Sequence, residues 1–209
     1  MLKDSLAAFT GALLIAHGAM ALAASSVDLS VKGIITPSAC APSLSDGGQV
    51  DYGKIAAKDL SATGTTLLAP VTLKLKVECE ADTLFALNGR DNRLGSSYFS
   101  ALSHIYGLGL VNGNEKLGGY GIGVFNPVAD EPVQPLFSFD NGTTWLVNSS
   151  GSYMGHPFWN AFGDSPTPKA LRSVNVDLRI STEIAPVANL TLTEEVPLDG
   201  SATLDLIYL

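Results

Sequence analysis

Three observations predict an all-β fold, an antiparallel sandwich or barrel. Apolar and polar residues alternate with period two in segment after segment, turn signals separate those segments at regular spacing, and helical periodicity is scarce. Composition agrees: 21 of the 209 residues are glycine and only 15% are charged, against a usual ~25%. The formal net charge is −8 with Lys and Arg scattered along the chain. Nucleic acid and anionic membrane surfaces select clustered cations, so neither is an expected partner.

Residues 1–23 predict a secretory signal peptide. Lys3 precedes an apolar stretch from Leu6 to Leu22, and Ala21-Leu22-Ala23 is a small-x-small cleavage signal. No later segment approaches the ~18 consecutive apolar residues of a membrane span. The expected exported part, 24–209, reads as a single domain, because no repeat, low-complexity tract or linker marks a second one.

The expected strands follow in order. "VDLSVKGII" sets Val27, Leu29 and Val31 on one face and is stopped by Pro37 just before Cys40. "QVDYGKI", Gln49 to Ile55, is a second short strand introduced by the turn "SDGG". In "TLLAPVTLKLKVEC" the residues Val71, Leu73, Leu75 and Val77 oppose Thr72, Lys74, Lys76 and Glu78, the clearest half-buried strand, which delivers Cys79 at its end. "LFALNG" and the polar, turn-rich "GRDNRLGSS" come next, and Ser97 to Gly107 predicts one short helix. Two hairpins are expected at Asn112-Gly113 and Asn141-Gly142, a dipeptide suited to the positive φ angles of a type I′ turn. Val174 to Ile180 alternates cleanly and "NLTLTEEV" less so. The last strand places Ala202, Leu204, Leu206 and Tyr208 on one wholly apolar face. Such a face must be buried, so the tail belongs to the fold. The total is about eight to ten strands.

Chemical motifs are few. Cys40 and Cys79 both lie in the expected exported part, where an oxidising compartment favours a structural bridge over free thiols. "GGYGIG", Gly118 to Gly123, has neither dinucleotide nor phosphate-loop spacing and reads as a glycine-rich strand. His104 and His156 lack ligands at metal spacing or a nucleophile to serve. The calcium loop's acidic spacing is absent around Asp130, Asp140 and Asn141. Catalytic residues, cofactors and metals are therefore not expected. "SYMGHPFWNAF", with Trp145 nearby, supplies Trp145, Tyr153 and Trp159 as candidate ligand-facing aromatics.

Four segments in this order, "LSVKGIITPSAC", "VDYGKIAAKDL", "PVTLKLKVEC" and an end strand with a penultimate tyrosine, resemble the subunits of chaperone-usher fimbriae. The long glycine-rich middle resembles, more narrowly, exported fimbria-like proteins of unknown function described as probable beta-fimbrial major subunits. The resemblance implies an immunoglobulin-like, pilin-type sandwich with an incomplete last strand, a Cys40–Cys79 bridge and an elaborated middle from Arg90 to Lys169. It implies a non-catalytic structural subunit, exported to the periplasm and then the surface of a Gram-negative bacterium, and assembled by donor-strand complementation. Its partners would be a periplasmic chaperone, an outer-membrane usher and other fimbrial subunits, with a host or carbohydrate receptor beyond them. Ala202, Leu204, Leu206 and Tyr208 would border the acceptor groove and meet the chaperone, and Val27, Leu29 and Val31 would be donor residues. The alternatives are a self-complete periplasmic binding or regulatory protein of the same ancestry, and a sugar-binding adhesin.

Overall fold

The computed structural model describes residues 30–33 and 39–209. The chain divides into two units, Met1–Ile35 and Thr36–Leu209. In the first, residues 30–33 carry no regular secondary structure and Val31 is 89% exposed. The expected signal peptide, the candidate donors Val27 and Leu29, and most of the expected first strand lie outside the described residues.

The second unit is all-β. Its strands are β1 (Cys40–Leu44), β2 (Thr66–Leu67), β3 (Val71–Thr83), β4 (Phe85–Asp91), β5 (Ile105–Gly107), β6 (Leu110–Val111) and β7 (Glu115–Lys116), followed by β8 (Gly118–Ala129), β9 (Gln134–Ser138), β10 (Leu146–Val147), β11 (Ser152–Met154), β12 (Trp159–Gly163), β13 (Leu171–Ile184) and β14 (Ala202–Tyr208). These fourteen segments exceed the expected number because several are two or three residues long. Among the described residues the only helical pieces are three short 3-10 turns.

β6 and β7 form a separate two-stranded hairpin, and the other twelve strands form two antiparallel sheets packed as a sandwich. One runs β1-β3-β13-β8-β11, with β2 added to β13 and β5 to β8; the other runs β10-β9-β12-β4-β14. Leu73, Leu75, Val77 and Cys79 of β3 are buried while Thr72, Lys74, Lys76 and Glu78 are exposed, as the period-two pattern requires. β13 lies at the centre of its sheet and buries Val174, Val176, Leu178 and Ile180 against Phe85, Leu87 and Phe162 of the facing sheet. The glycine-rich run lies in β8, buried throughout, and a Cβ at Gly119 would meet Ile105 Cγ2 at 2.6 Å, so β5 can approach only where a side chain is missing. Both hairpin turns form as expected, with positive φ at Asn112 and Gly113 and again at Asn141 and Gly142.

Three expected elements are corrected. "NLTLTEEV", Asn189 to Val196, forms no strand, because the Thr191 amide and hydroxyl are taken by the Glu115 side chain instead of a ladder. Gln49 to Ile55 joins no ladder: Gly53 turns the chain with φ +62° and its amide donates to Asp51 Oδ1 at 2.7 Å, and side chains hold the segment, the Tyr52 hydroxyl donating to Thr182 Oγ1 of β13 at 3.0 Å and Lys54 pairing with Glu195 at 2.6 Å. Ser97 to Gly107 forms no helix. Its start is claimed by β8, with a bridge between Ser97 and Gly118 and the Tyr98 amide donating to the Gly118 carbonyl at 2.9 Å, and its end becomes β5.

Candidate functional site: an open apolar seam

β1 ends one sheet and β14 ends the other, and neither has a ladder partner on its outer side among the described residues. Cys40 and Cys79 are bonded and stand directly opposite in the β1/β3 register. The bridge fixes β1, a strand whose central residues are all exposed and which burial alone would hold poorly. With a separation of 39 residues, closing this loop restricts the unfolded chain by about 4 kcal/mol in the chain-entropy treatment.

β14 pairs with β4 in register Leu204↔Gly89, Leu206↔Leu87 and Tyr208↔Phe85. Phe85 and Leu87 belong to the core, so Ala202, Leu204, Leu206 and Tyr208 face inward, as the alternation requires. Yet Ala202, Leu204 and Leu206 are only half-buried, and Tyr208 is 40% exposed. Their side chains cover the core from the β4 side, and among the described residues no strand pairs with β14 on its other side.

The two edges meet at one end only. The Cys40 amide donates to the Tyr208 hydroxyl at 3.1 Å. From there the edges enclose a cavity of about 270 Å³ whose lining includes Leu44 of β1, Ala202 and Leu204 of β14, and Leu73, Leu178 and Ile180 on its floor. Val50, Tyr52, Leu198 and Gly200 close the far end. No lining residue carries a charge. Of the titratable groups present, Tyr120 has its ionisation pushed up by burial and by nearby Asp91, which keeps it neutral. The seam therefore offers apolar surface, and an unpaired strand edge offers backbone donors and acceptors. A second recess is polar and acidic, lined by Glu78, Asp82 and Asp130 against Arg172, with Arg172 Nε 3.3 Å from Asp82 and Asp130 accepting the Ser173 amide at 3.1 Å.

The candidate aromatics separate. Trp145 is buried and corrected from a ligand-facing position: it folds back over the outer face of the second sheet onto Ala86, Leu136 and Ala161. Trp159 is half-buried against the same cluster, and Tyr153 is 57% exposed beside His104, ring centroids 4.9 Å apart. The wall residues Leu44, Val50, Leu178 and Leu198 were not among the sequence candidates. The inward alternation of β13 signals Leu178, but nothing local signals that Val50 or Leu198 reaches the seam.

Among the described residues, fold and site together define a disulfide-linked all-β sandwich with one lateral margin that no ladder closes. Residues 29–103 match a family described as "Protein of unknown function (DUF1120)". The chain is similar to Protein GltF of Escherichia coli (strain K12), 29% identical over 93% of this chain and 92% of the relative. It is also similar to Uncharacterized protein YhcF of the same organism, 26% identical over 90% of this chain and 93% of that one.

Proposed function

We propose that this protein is a non-catalytic, fimbria-like structural subunit of the chaperone-usher type, completed by an extended segment from a chaperone or a neighbouring copy. The observation that carries this reading is the seam between β1 and β14, with two free edges over an uncharged apolar floor. Strand addition satisfies such an edge with main-chain hydrogen bonds while alternate side chains fill the floor. Completing the burial of Ala202, Leu204 and Leu206 would contribute about 1 kcal/mol for each leucine and less for the alanine, scaled from the value for full burial. The disulfide supports an oxidising compartment such as the periplasm.

The test is expression of the exported chain in a Gram-negative periplasm with and without a fimbrial chaperone. SDS-resistant ladders, lost when Leu206 and Tyr208 are replaced by serine, are the expected result. A soluble monomer in both strains, indifferent to those substitutions, refutes assembly. A self-complete monomeric periplasmic protein is the second reading, favoured by the way Val50, Tyr52 and Leu198 already occupy the far end of the seam and the Tyr208 bond closes the near end.

A further inference from the structure

The segment between β13 and β14 is a strap rather than a strand, laid over the sandwich and tied at discrete points. The Val187 amide donates to Ser61 O at 3.0 Å and the Ala188 amide to Ala62 O at 3.1 Å. At its far end Asp199 takes two bonds from Arg93, at 2.7 and 2.8 Å. The middle has two ties, the Lys54–Glu195 pair at 2.6 Å and a clip on the β6/β7 hairpin. Glu115 accepts the Thr191 amide at 2.7 Å and the Thr191 hydroxyl at 2.8 Å, while the Asn112 side-chain amide donates to the Thr191 carbonyl at 3.2 Å and to Glu115 at 3.5 Å.

Asn112 is followed by Gly113, and the chain contains two further Asn-Gly pairs, Asn88-Gly89 and Asn141-Gly142. Cyclisation of such a pair needs the glycine amide nitrogen to lose its proton and attack the asparagine Cγ. The three sites differ in how free that nitrogen is. Asn88-Gly89 lies inside β4, flanked by β12 and β14, with its side-chain amide donating to the Phe158 carbonyl at 2.7 Å. The Gly142 amide donates to Ser138 Oγ at 2.8 Å, and Trp145 and Trp159 crowd the turn. Asn112 is exposed, a Cβ at Gly113 would meet nothing within 4 Å, and the Gly113 amide has no acceptor among the described residues.

We propose that Asn112 is a selective site of spontaneous deamidation, and that its conversion releases the strap from the β6/β7 hairpin at Thr191. The Gly113 nitrogen bonds to Cγ of Asn112, ammonia leaves, and water opens the resulting succinimide to aspartate or isoaspartate; no oxidant or reductant is involved. The product exchanges an amide donor for a carboxylate that faces the Thr191 carbonyl and the Glu115 carboxylate, turning two attractions into repulsions. Leu198 of the same strap lines the seam cavity, but the Arg93–Asp199 pair beside it and the Lys54–Glu195 pair before it remain in place, so the conversion acts on the strap at the hairpin and not on that wall. The inference stands independently of the fimbrial reading.

The experiment incubates the intact chain at mildly alkaline pH in ¹⁸O-water and maps label at the three asparagines by peptide mass spectrometry, with the denatured chain as control. In the native chain Asn112 is expected to convert about tenfold faster than Asn141, the factor one hydrogen bond on the attacking nitrogen supplies, and Asn88 not at all. Asn141 keeping pace, or Asn112 persisting while the denatured control converts, overturns site selectivity. Hydrogen exchange at the Thr191 amide is then compared in the native chain, its deamidated product, Asn112→Asp and Asn112→Ser. Faster exchange in the product and the aspartate variant, with a smaller rise for serine, supports release. Unchanged exchange in the deamidated product overturns it.

Discussion

The sandwich has two lateral margins, and they are finished differently. On one side the chain passes repeatedly between sheets: β8 leads into β9, and β11 into β12. There Asn160, fully buried on the inner face of β12, donates to Ser152 Oγ at 2.8 Å and to the Tyr153 carbonyl at 3.2 Å, tying one sheet to the edge of the other. On the other side β1 and β14 approach each other without a ladder, and one hydrogen bond to a tyrosine hydroxyl spans the gap. Leucines of equal hydrophobicity differ accordingly. Leu87 of β4 is 1% exposed, whereas Leu206, its direct register partner on β14, is half-buried. Burial here is decided by whether a next strand exists.

The largest expected effect concerns what keeps the open margin in place. Replacing both Cys40 and Cys79 with serine is expected to lower the unfolding free energy by about 4 kcal/mol, read as a drop in urea midpoint that reductant reproduces in the wild-type chain. A shift below a quarter of that would show that packing alone secures β1, and would remove the contrast between the margins.

At the closed margin, Asn160→Ala deletes the partner of Ser152 and opens a void. Its cost is expected at about 2 kcal/mol, within the range for a buried group left unsatisfied. Leu204→Ala at the open margin removes a side chain that is only half-buried and is expected to cost about 1 kcal/mol. Equilibrium denaturation of both variants measures the difference directly. Equal costs would mean that the seam is as well packed as the closed side.

The sequence made some of this comparison legible and concealed the rest. β3, β13 and β14 were readable because each carries its own alternation, and both Asn-Gly turns because their backbone conformation selects those residues. The inward face of β14 was readable for the same reason. That the face would be left half-covered was not, since it depends on Cys40 and Tyr208, 168 residues apart, meeting at one end and diverging from there. The segment from Gln49 to Ile55 has the composition of a strand, but whether it pairs or lies unpaired beneath a margin is settled by the Tyr52–Thr182 contact. Trp145 looked ligand-facing in a polar loop because the sequence does not reveal that Ala86 and Ala161 leave room for an indole on the outer face of the second sheet.

The smallest effect sharpens the comparison through pH. Asp140 anchors the β9/β10 turn that carries Trp145 over the second sheet: its carboxylate accepts the Thr144 hydroxyl at 2.6 Å, the Thr144 amide at 2.9 Å and the Ser138 hydroxyl at 2.7 Å. Those bonds, the Thr144 hydroxyl first, hold its ionisation down to about 2, against an unfolded value near ~3.9. A depressed folded value means that the unfolded chain binds the proton more readily, so the contribution is fully present above about pH 4 and is lost as pH falls toward 2. Asp140→Asn is therefore expected to flatten part of the acid limb of the stability profile and to leave the strand addition proposed for the seam, read at neutral pH, untouched, because Asp140 and the seam lie on different elements. Urea midpoints measured from pH 7 to pH 2, alongside binding of an extended apolar peptide at pH 7, separate the two. A variant that lost peptide binding while its acid limb stayed steep would show that the turn and the open margin are mechanically coupled, and the two sides of the sandwich would then have to be treated as one unit.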